Sequence, residues 1–379
     1  MHAIRKDIEA HLEIEGCLPE DLHGHVFIVA PVGNVTSGKK GCSTNVEPIN
    51  KGGNSFMNGD GMVYRLDFVN GKVSWKQRMV KPLDYLVDER LHGRKEALQF
   101  YELLKFRNFG LNRFSFLFGL RNQLNTAFLP MKFDGDNIER LLVAYDVGRP
   151  YEIDMESLEV VTPVGKIAEW EALFGQLKQP FPLNLTTAHL VFDQKTEEIF
   201  TVNYRRSIAN FLNLTVVGIW RWLNSLFVEV KNQQQRFNVL WIDAIKNLAL
   251  TIEVTLRLFC QILLSNLNIW NNNFVDLIKW DGKGDLKKWR VVSPCRQPIK
   301  IRQSMHEMGL TENYVVLMDT SFAPGIEQLV TDYPERFPIL RKLTRLIPFP
   351  DATLYIINRN ELEDGKKEVV RSEEHTSEL

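Results

Sequence analysis

An all-β fold built of antiparallel sheets is the class this sequence predicts, and three features predict it. Strand-length runs of alternating or β-branched residues follow one another as two-stranded units, turn-rich segments join them, and no helical crossover separates them. The turns centred near Asp154 and Lys195 lie about 40 residues apart, which is the length of a propeller blade. Other spacings are irregular, so the pattern fits a sandwich as well as a propeller.

The bulk properties are those of an ordinary globular protein. The chain has 379 residues, 44% hydrophobic and 25% charged, enough to bury a large core. A net charge of −1 gives no electrostatic footprint for nucleic acid. Cys17, Cys42, Cys260 and Cys295 are far apart and show no CxxC spacing, which speaks for free thiols in a reducing compartment rather than a zinc cluster or a disulfide framework. The N-terminal MHAIRKDIEAHLEIEG alternates charged and apolar residues where a secretory signal needs an unbroken apolar core. These observations place the protein in the cytoplasm.

Taken in order, GMVYRLDF turns at Val69-Asn70-Gly71-Lys72 into VSWKQRMV, and Asn-Gly between alternating strands is a strong hairpin signal. The segment from Glu96 to Leu120 breaks the β pattern with a dense aromatic and leucine load around Lys105, Arg107 and Arg113. It reads as an interfacial helix or a lid over an apolar tunnel, and equally as a helix packed on the core. LLVAYDV is followed by YEID, a turn at MES, and LEVV. Thr187-Ala188-His189 opens the strand AHLVFD, which turns at QKTEE and returns as IFTVNYR.

A long interruption, 207–273, sits inside what should be one sheet. Trp241, Ile245, Leu248, Ile252, Leu256, Phe259 and Leu263 recur at three- and four-residue steps, with Asp243, Lys246, Glu253 and Arg257 on another face, so this part is an amphipathic helix. Those charges disqualify it as a bilayer span, and Arg221 and Glu229 interrupt the more apolar piece from Phe211 to Val230. The insert reads as a helical hairpin lying on a membrane or a partner, or packed on the side of the sheets.

FVDLIKW, the loop DGKGD and KKWRVV form the next unit. Gln303 to Asp319 then carries His306 near the end of an apolar strand, turns at Gly309 with Thr311, Glu312 and Asn313, and returns as the β-branched run Tyr314 to Met318. TLYIINR and the charged turn NELEDGKKE precede Val369 and Val370. The last nine residues, Arg371 to Leu379 (RSEEHTSEL), match the in-frame translation of a common sequencing-library adapter. On that reading 371–379 are not native, residues 1–370 are a fragment, and His375 is no ligand.

Two inward histidines on two hairpins, His189 and His306, suggest a shared axis, although each taken singly fits a hydrogen-bonded core histidine better than a ligand. His23 and His25 alternate as strand ligands do, but fit a surface position better. His92, beside Gly93 and Arg94, reads as loop. Asn58-Gly59-Asp60-Gly61 lacks the ligand run of a calcium loop and reads as a tight turn. There is no nucleophile elbow, Walker loop or HExxH.

Five segments in one order carry a family likeness: GCLPEDLHGHVFIVAP, FMNGDGMVYRLDF, NTA at Asn125 to Ala127, TAHLVFD, and the Gln303 to Asp319 stretch. Over almost all of residues 14 to 370 the chain resembles the carotenoid cleavage dioxygenases, which include the retinoid isomerase of the visual cycle. The resemblance implies a seven-bladed β-propeller of antiparallel sheets, incomplete here, with helical cap loops; the long helical insert departs from the family. It implies an Fe(II) centre held by four neutral histidines, of which His189 matches the first and His306 the second, the other two lying beyond this sequence. In the family acidic residues stand behind three of these histidines, and local alignment of YDVGRPYEIDMESLE puts the one for His306 at Asp146, where glutamate is commoner. The shorter Asp146 requires either a closer backbone or a weaker hydrogen bond.

The implied reaction is cleavage of a conjugated C=C bond of a carotenoid or apocarotenoid by O2 into two carbonyl products. The substrate would be drawn from a membrane surface that the protein touches through the apolar segments near 96–120 and 207–273. A stilbene-cleaving dioxygenase is the alternative within the fold, and a non-catalytic, membrane-attached propeller binding module the alternative outside it. Residues 1–370 by themselves are expected to be poorly soluble, iron-poor and inactive.

Overall fold

The computed structural model describes residues 3–35, 45–46, 58–108, 112–173, 178–207, 272–321 and 349–378. Nearly all of the insert 207–273 lies outside the described residues, as do Cys42 and Cys260. The chain forms two compact units, one of Met1–Asn203, Leu277–Lys288 and His306–Glu312, the other of Tyr204–Asp276, Trp289–Met305 and Asn313–Leu379.

In the first unit a short pair, β1 (Ala3–Ile4) with β4 (Asn45–Val46), accompanies a four-stranded antiparallel sheet. That sheet has the order β2-β6-β5-β3, from β2 (Ile8–Leu12), β3 (Gly24–Pro31), β5 (Gly61–Val69) and β6 (Lys72–Met79). The β5–β6 turn is the expected Asn-Gly loop: Val69 faces Lys72, and Asn70 and Gly71 take φ of 50° and 71°. Positive φ at both central residues gives the turn a twist that matches the strands. A second sheet runs β10 (Ala127–Met131), β11 (Arg140–Ala144), β12 (Tyr151–Ile153), β13 (Val160–Pro163) in sequence order.

The run LLVA in β11 shows why this sheet needs apolar residues on both sides. Leu141 and Val143 pack with Val63, Leu124 and Ile153, while Leu142 and Ala144 pack with Leu190, Ile199, Ile278 and Trp280. Successive residues of a strand face opposite ways, so a strand buried on both faces reads as a continuous apolar run.

Between the two sheets the sequence reading needs correction. Glu96 to Leu120 is not one helix. It holds the single turn α2 (Tyr101–Leu104) and a small sheet of β7 (Arg107–Asn108), β8 (Arg113–Ser115) and β9 (Gly119–Leu120). Gly119, at φ 96°, lies against the Phe181 carbonyl where a Cβ would sit 1.9 Å from its oxygen, and the buried Arg113 and Ser115 anchor β8, so the chain cannot wind on as a helix. His92, read as loop, closes the last turn of a helix α1 (Leu83–Gly93).

The inward face of α1 is acidic, which is why its apolar periodicity is weak. Its buried residues are Asp84, Tyr85 and Asp88, while Leu83 is 62% exposed. Fully buried Arg121 donates to Asp60, to Asp84 at 2.5 Å and to Asp88 at 3.1 Å. Arg113 grips both oxygens of Asp88, at 2.8 and 3.0 Å, and Arg5 meets Asp60 at 2.9 Å. Burial opposes the Arg121 charge, but the three carboxylates outweigh it and raise its pKa. In Asp84 burial prevails over Arg121 and raises the carboxyl pKa.

The Gly-Asp-Gly turn is therefore an anchor. A Cβ on Gly59 would come 2.6 Å from the Gly33 nitrogen, and one on Gly61 would come 2.1 Å from the Leu124 carbonyl oxygen. Asn125 of the NTA segment donates to the Gly59 carbonyl at 2.6 Å, tying two of the sequence motifs together. Gly61→Ala should cost about 3 kcal/mol, since both partners at the contact are backbone; a urea midpoint unchanged from the parent would contradict the packing.

The remaining elements are β14 (Leu185–Thr186), β15 (Val191–Asp193), β16 (Glu198–Arg205), β17 (Phe274–Trp280), β18 (Lys287–Val292), β19 (Ser304–Leu310), β20 (Tyr314–Thr320), β21 (Asp351–Asn358), β22 (Glu368–Val370) and β23 (Glu373–Glu378). The pair β15–β16 is the expected hairpin around Lys195, though its strand begins at Val191 rather than at Ala188. Gly309 belongs to β19, so the turn after it consists of Thr311, Glu312 and Asn313. In the second unit β20, β21 and β23 pair antiparallel in that order, and Val369 and Val370 of β22 join β18 in parallel. Asp319 caps that unit's turn by accepting from the backbone N–H groups of Arg302, Gln303 and Ser304 at 2.6 to 2.9 Å. Among the described residues the chain is thus all-β with antiparallel sheets predominating, and no described helix is long and apolar enough to cross a membrane.

Candidate metal centre

His306 is the third residue of β19, and His189 lies two residues before β15. They are brought together by a parallel bridge between His189 and Glu307. The two imidazoles meet edge to face, with ring centroids 4.9 Å apart and planes at 77°. Ligand atoms of His189, His306 and Glu307 all lie within 4.8 Å of one another. Sequence reasoning named the two histidines and missed Glu307. Strand alternation points neighbours to opposite faces, so nothing in the sequence sets Glu307 beside His306; only the crossing of the two segments does.

Asp146 follows β11 and reaches His306, its Oδ1 lying 2.6 Å from Nδ1. The shorter side chain does not lengthen this hydrogen bond, which is a short one. A carboxylate can only accept, so Nδ1 carries the proton. That hydrogen bond raises the His306 pKa against the opposing effect of burial. His189 is shifted the other way, by burial first and by the neighbouring His306 second. The surroundings thus push the two imidazoles in opposite directions.

The other histidines named from the sequence are elsewhere. His25 is 45% exposed and paired with Asp67 at 2.5 Å, and His23 Nδ1 meets the Asp21 carbonyl at 2.8 Å. His92 Nδ1 lies 3.3 Å from the Tyr101 hydroxyl, and His375, in β23, pairs with Glu373 at 2.9 Å. Cys17 and Cys295 are exposed free thiols.

Comparison with known proteins gives three findings. No curated protein matches the sequence. Among solved structures, a single-residue variant of the Synechocystis apocarotenoid oxygenase is similar at 14% identity and a TM-score of 0.47, over 100% of this chain and 57% of that one. The Pseudomonas brassicacearum lignostilbene dioxygenase is similar at 19% identity and a TM-score of 0.47, over 99% of this chain and 54% of that one. The chain thus spans little more than half the length of these structures. The family profile described as retinal pigment epithelial membrane protein matches residues 1–377. With all but its last two residues inside that match, the chain belongs to the retinal pigment epithelial membrane protein family.

Proposed function

We propose that this chain is part of a non-haem Fe(II) dioxygenase that cleaves a conjugated C=C bond of a carotenoid or apocarotenoid with O2, giving two carbonyl products. The observation that carries the reading is the convergence of His189 and His306, with Asp146 behind His306, in a chain of this family. The donor chemistry fits the metal. Imidazole nitrogen suits iron, and an acceptor on the far ring nitrogen is what a ligating histidine ordinarily has.

His189 and His306 would hold the iron, joined in the whole protein by the family's two further histidines. Bound iron supplies the one-electron chemistry that lets dioxygen react with a closed-shell conjugated alkene. The chain's own residues supply the rest. Burial lowers the His189 pKa and so favours the neutral ring that can act as a donor. Asp146 accepts from His306 Nδ1, so Nε2 would be the coordinating atom. Neither imidazole brings negative charge to the ion.

A lipid-soluble substrate requires a route from a membrane. Phe100, Leu103, Phe116 and Leu117 are 60%, 61%, 73% and 56% exposed, and these side chains support peripheral attachment through the 96–120 segment. The seven-bladed count belongs to the whole protein, as does activity.

The test uses the longest reading frame that contains these residues, loaded with Fe(II) and given an apocarotenal in detergent micelles. O2 consumption matched by formation of two shorter carbonyl compounds is the expected result. Turnover of a hydroxylated stilbene in its place would assign the smaller phenolic substrate, and iron loading without cleavage of either would sink the dioxygenase reading.

A further inference from the structure

His189, His306 and Asp146 come from three separate stretches of chain, and two adjacent threonines bond to the backbone of all three stretches. Thr186 and Thr187 are both fully buried. The Thr187 hydroxyl donates to the His306 carbonyl oxygen at 2.6 Å and accepts from the His189 backbone N–H at 3.2 Å. One hydroxyl thus spans the two histidine-bearing segments, using its proton on one and a lone pair on the other.

Thr186 holds the segment that carries Asp146. Its hydroxyl sits between the carbonyl oxygens of Tyr145, at 3.0 Å, and Gly148, at 2.9 Å. Its backbone N–H donates to the Asp146 carbonyl at 2.9 Å, the Gly148 N–H donates to the Asn184 carbonyl at 2.8 Å, and Val147 bridges Leu185. Successive strand residues point to opposite sides, so a tandem pair can hold one neighbour on each side. Neither threonine can be a ligand while its hydroxyl is committed to backbone.

We propose that Thr186 and Thr187 are the positioning residues of this centre: Thr186 fixes the turn that carries Asp146, Thr187 fixes the strand that carries His306, and both sit on the backbone leading to His189. The inference rests on the metal reading above. It assigns to two hydroxyls the spacing between the imidazoles, which backbone pairing among the described residues supports through the bridge of His189 with Glu307. Valine has the shape of threonine without the hydroxyl, and serine keeps the hydroxyl without the methyl, so the two replacements separate hydrogen bonding from volume.

The experiment is a Co(II) titration of the full chain and its Thr187→Val, Thr187→Ser, Thr186→Val and Val63→Ala variants, with the His306 ring tautomer read by nitrogen NMR in the metal-free protein. Val63→Ala, a core truncation in β5, controls for lost stability. Thr187→Val and Thr186→Val should each weaken Co(II) binding about 10- to 100-fold, the range seen when support behind a metal ligand is removed. Thr187→Ser and Val63→Ala should bind as the parent does, and Thr187→Val should lose the defined Nδ1–H signal of His306. Parental affinity and an unchanged His306 signal in Thr187→Val would overturn the inference, as would a Thr187→Ser variant as weak as Thr187→Val. A parent chain that binds no Co(II) would count against the metal reading itself; the His306 signal in Thr187→Val would then decide the positioning role, its loss supporting and its persistence refuting it.

Discussion

Arg121→Met should destabilise the chain by about 3–5 kcal/mol, the cost of leaving buried charges without their partner. A domain is stable by only about 5–15 kcal/mol, so the expected result is a protein that fails to accumulate in soluble form or unfolds at much lower urea. Methionine fills most of the volume, so the loss measures charge and not a cavity. Asp60, Asp84 and Asp88 arrive from the Gly-Asp-Gly turn and from one face of α1, and Arg121 is the side chain that meets all three. Arg121→Lys should rescue little, because an ammonium is a point charge where the guanidinium presents a planar fork. A urea midpoint for Arg121→Met within about 1 kcal/mol of the parent would show that the cluster contributes little to holding α1 on the sheets.

Removing a donor from the candidate centre should have the next largest effect. His306→Ala should abolish measurable Co(II) binding, and Asp146→Asn should weaken it about 10- to 100-fold while leaving the unfolding midpoint near that of the parent. The neutral amide still accepts from Nδ1, but it no longer favours the protonated ring, so the His306 pKa should fall back toward its ordinary value. Asp146→Glu should not improve binding although glutamate is commoner at this place in the family, because the contact is already 2.6 Å and an added methylene has no gap to span. If Asp146→Asn binds as the parent does, Asp146 holds its turn and has no part in presenting the imidazole.

The readable features were those governed by short-range rules. Asn70-Gly71 announces a hairpin because two positive φ angles in succession suit few other residue pairs. LLVA in β11 announces a strand covered on both sides. His189 and His306 stood out because each sits on a leg of a hairpin, and the family resemblance gave them a ligand role. What the sequence hid depends on long-range pairing. Helix α1 shows no apolar stripe because its inner face is Asp84, Tyr85 and Asp88, and an acidic inner face makes sense only once Arg113 and Arg121 are known to lie beneath it. The aromatic content of 96–120 suggested a helix, yet Gly119 and the buried Arg113 turn it into three short strands, and Phe100, Leu103, Phe116 and Leu117 stay outside. Glu307, Thr186 and Thr187 enter the site through backbone crossings between distant stretches, which no local pattern records.

The account turns on His189 and His306 forming one metal site, and the most direct measurement of that is paramagnetic broadening of the histidine ring signals. The chain has eight histidines, so six serve as internal controls. Substoichiometric Mn(II) added to the full chain should first erase the ring signals of His189 and His306 together, leaving those of His25 and His375 sharp. Broadening that begins at His25 or His375, or that spares either His189 or His306, would contradict a shared centre.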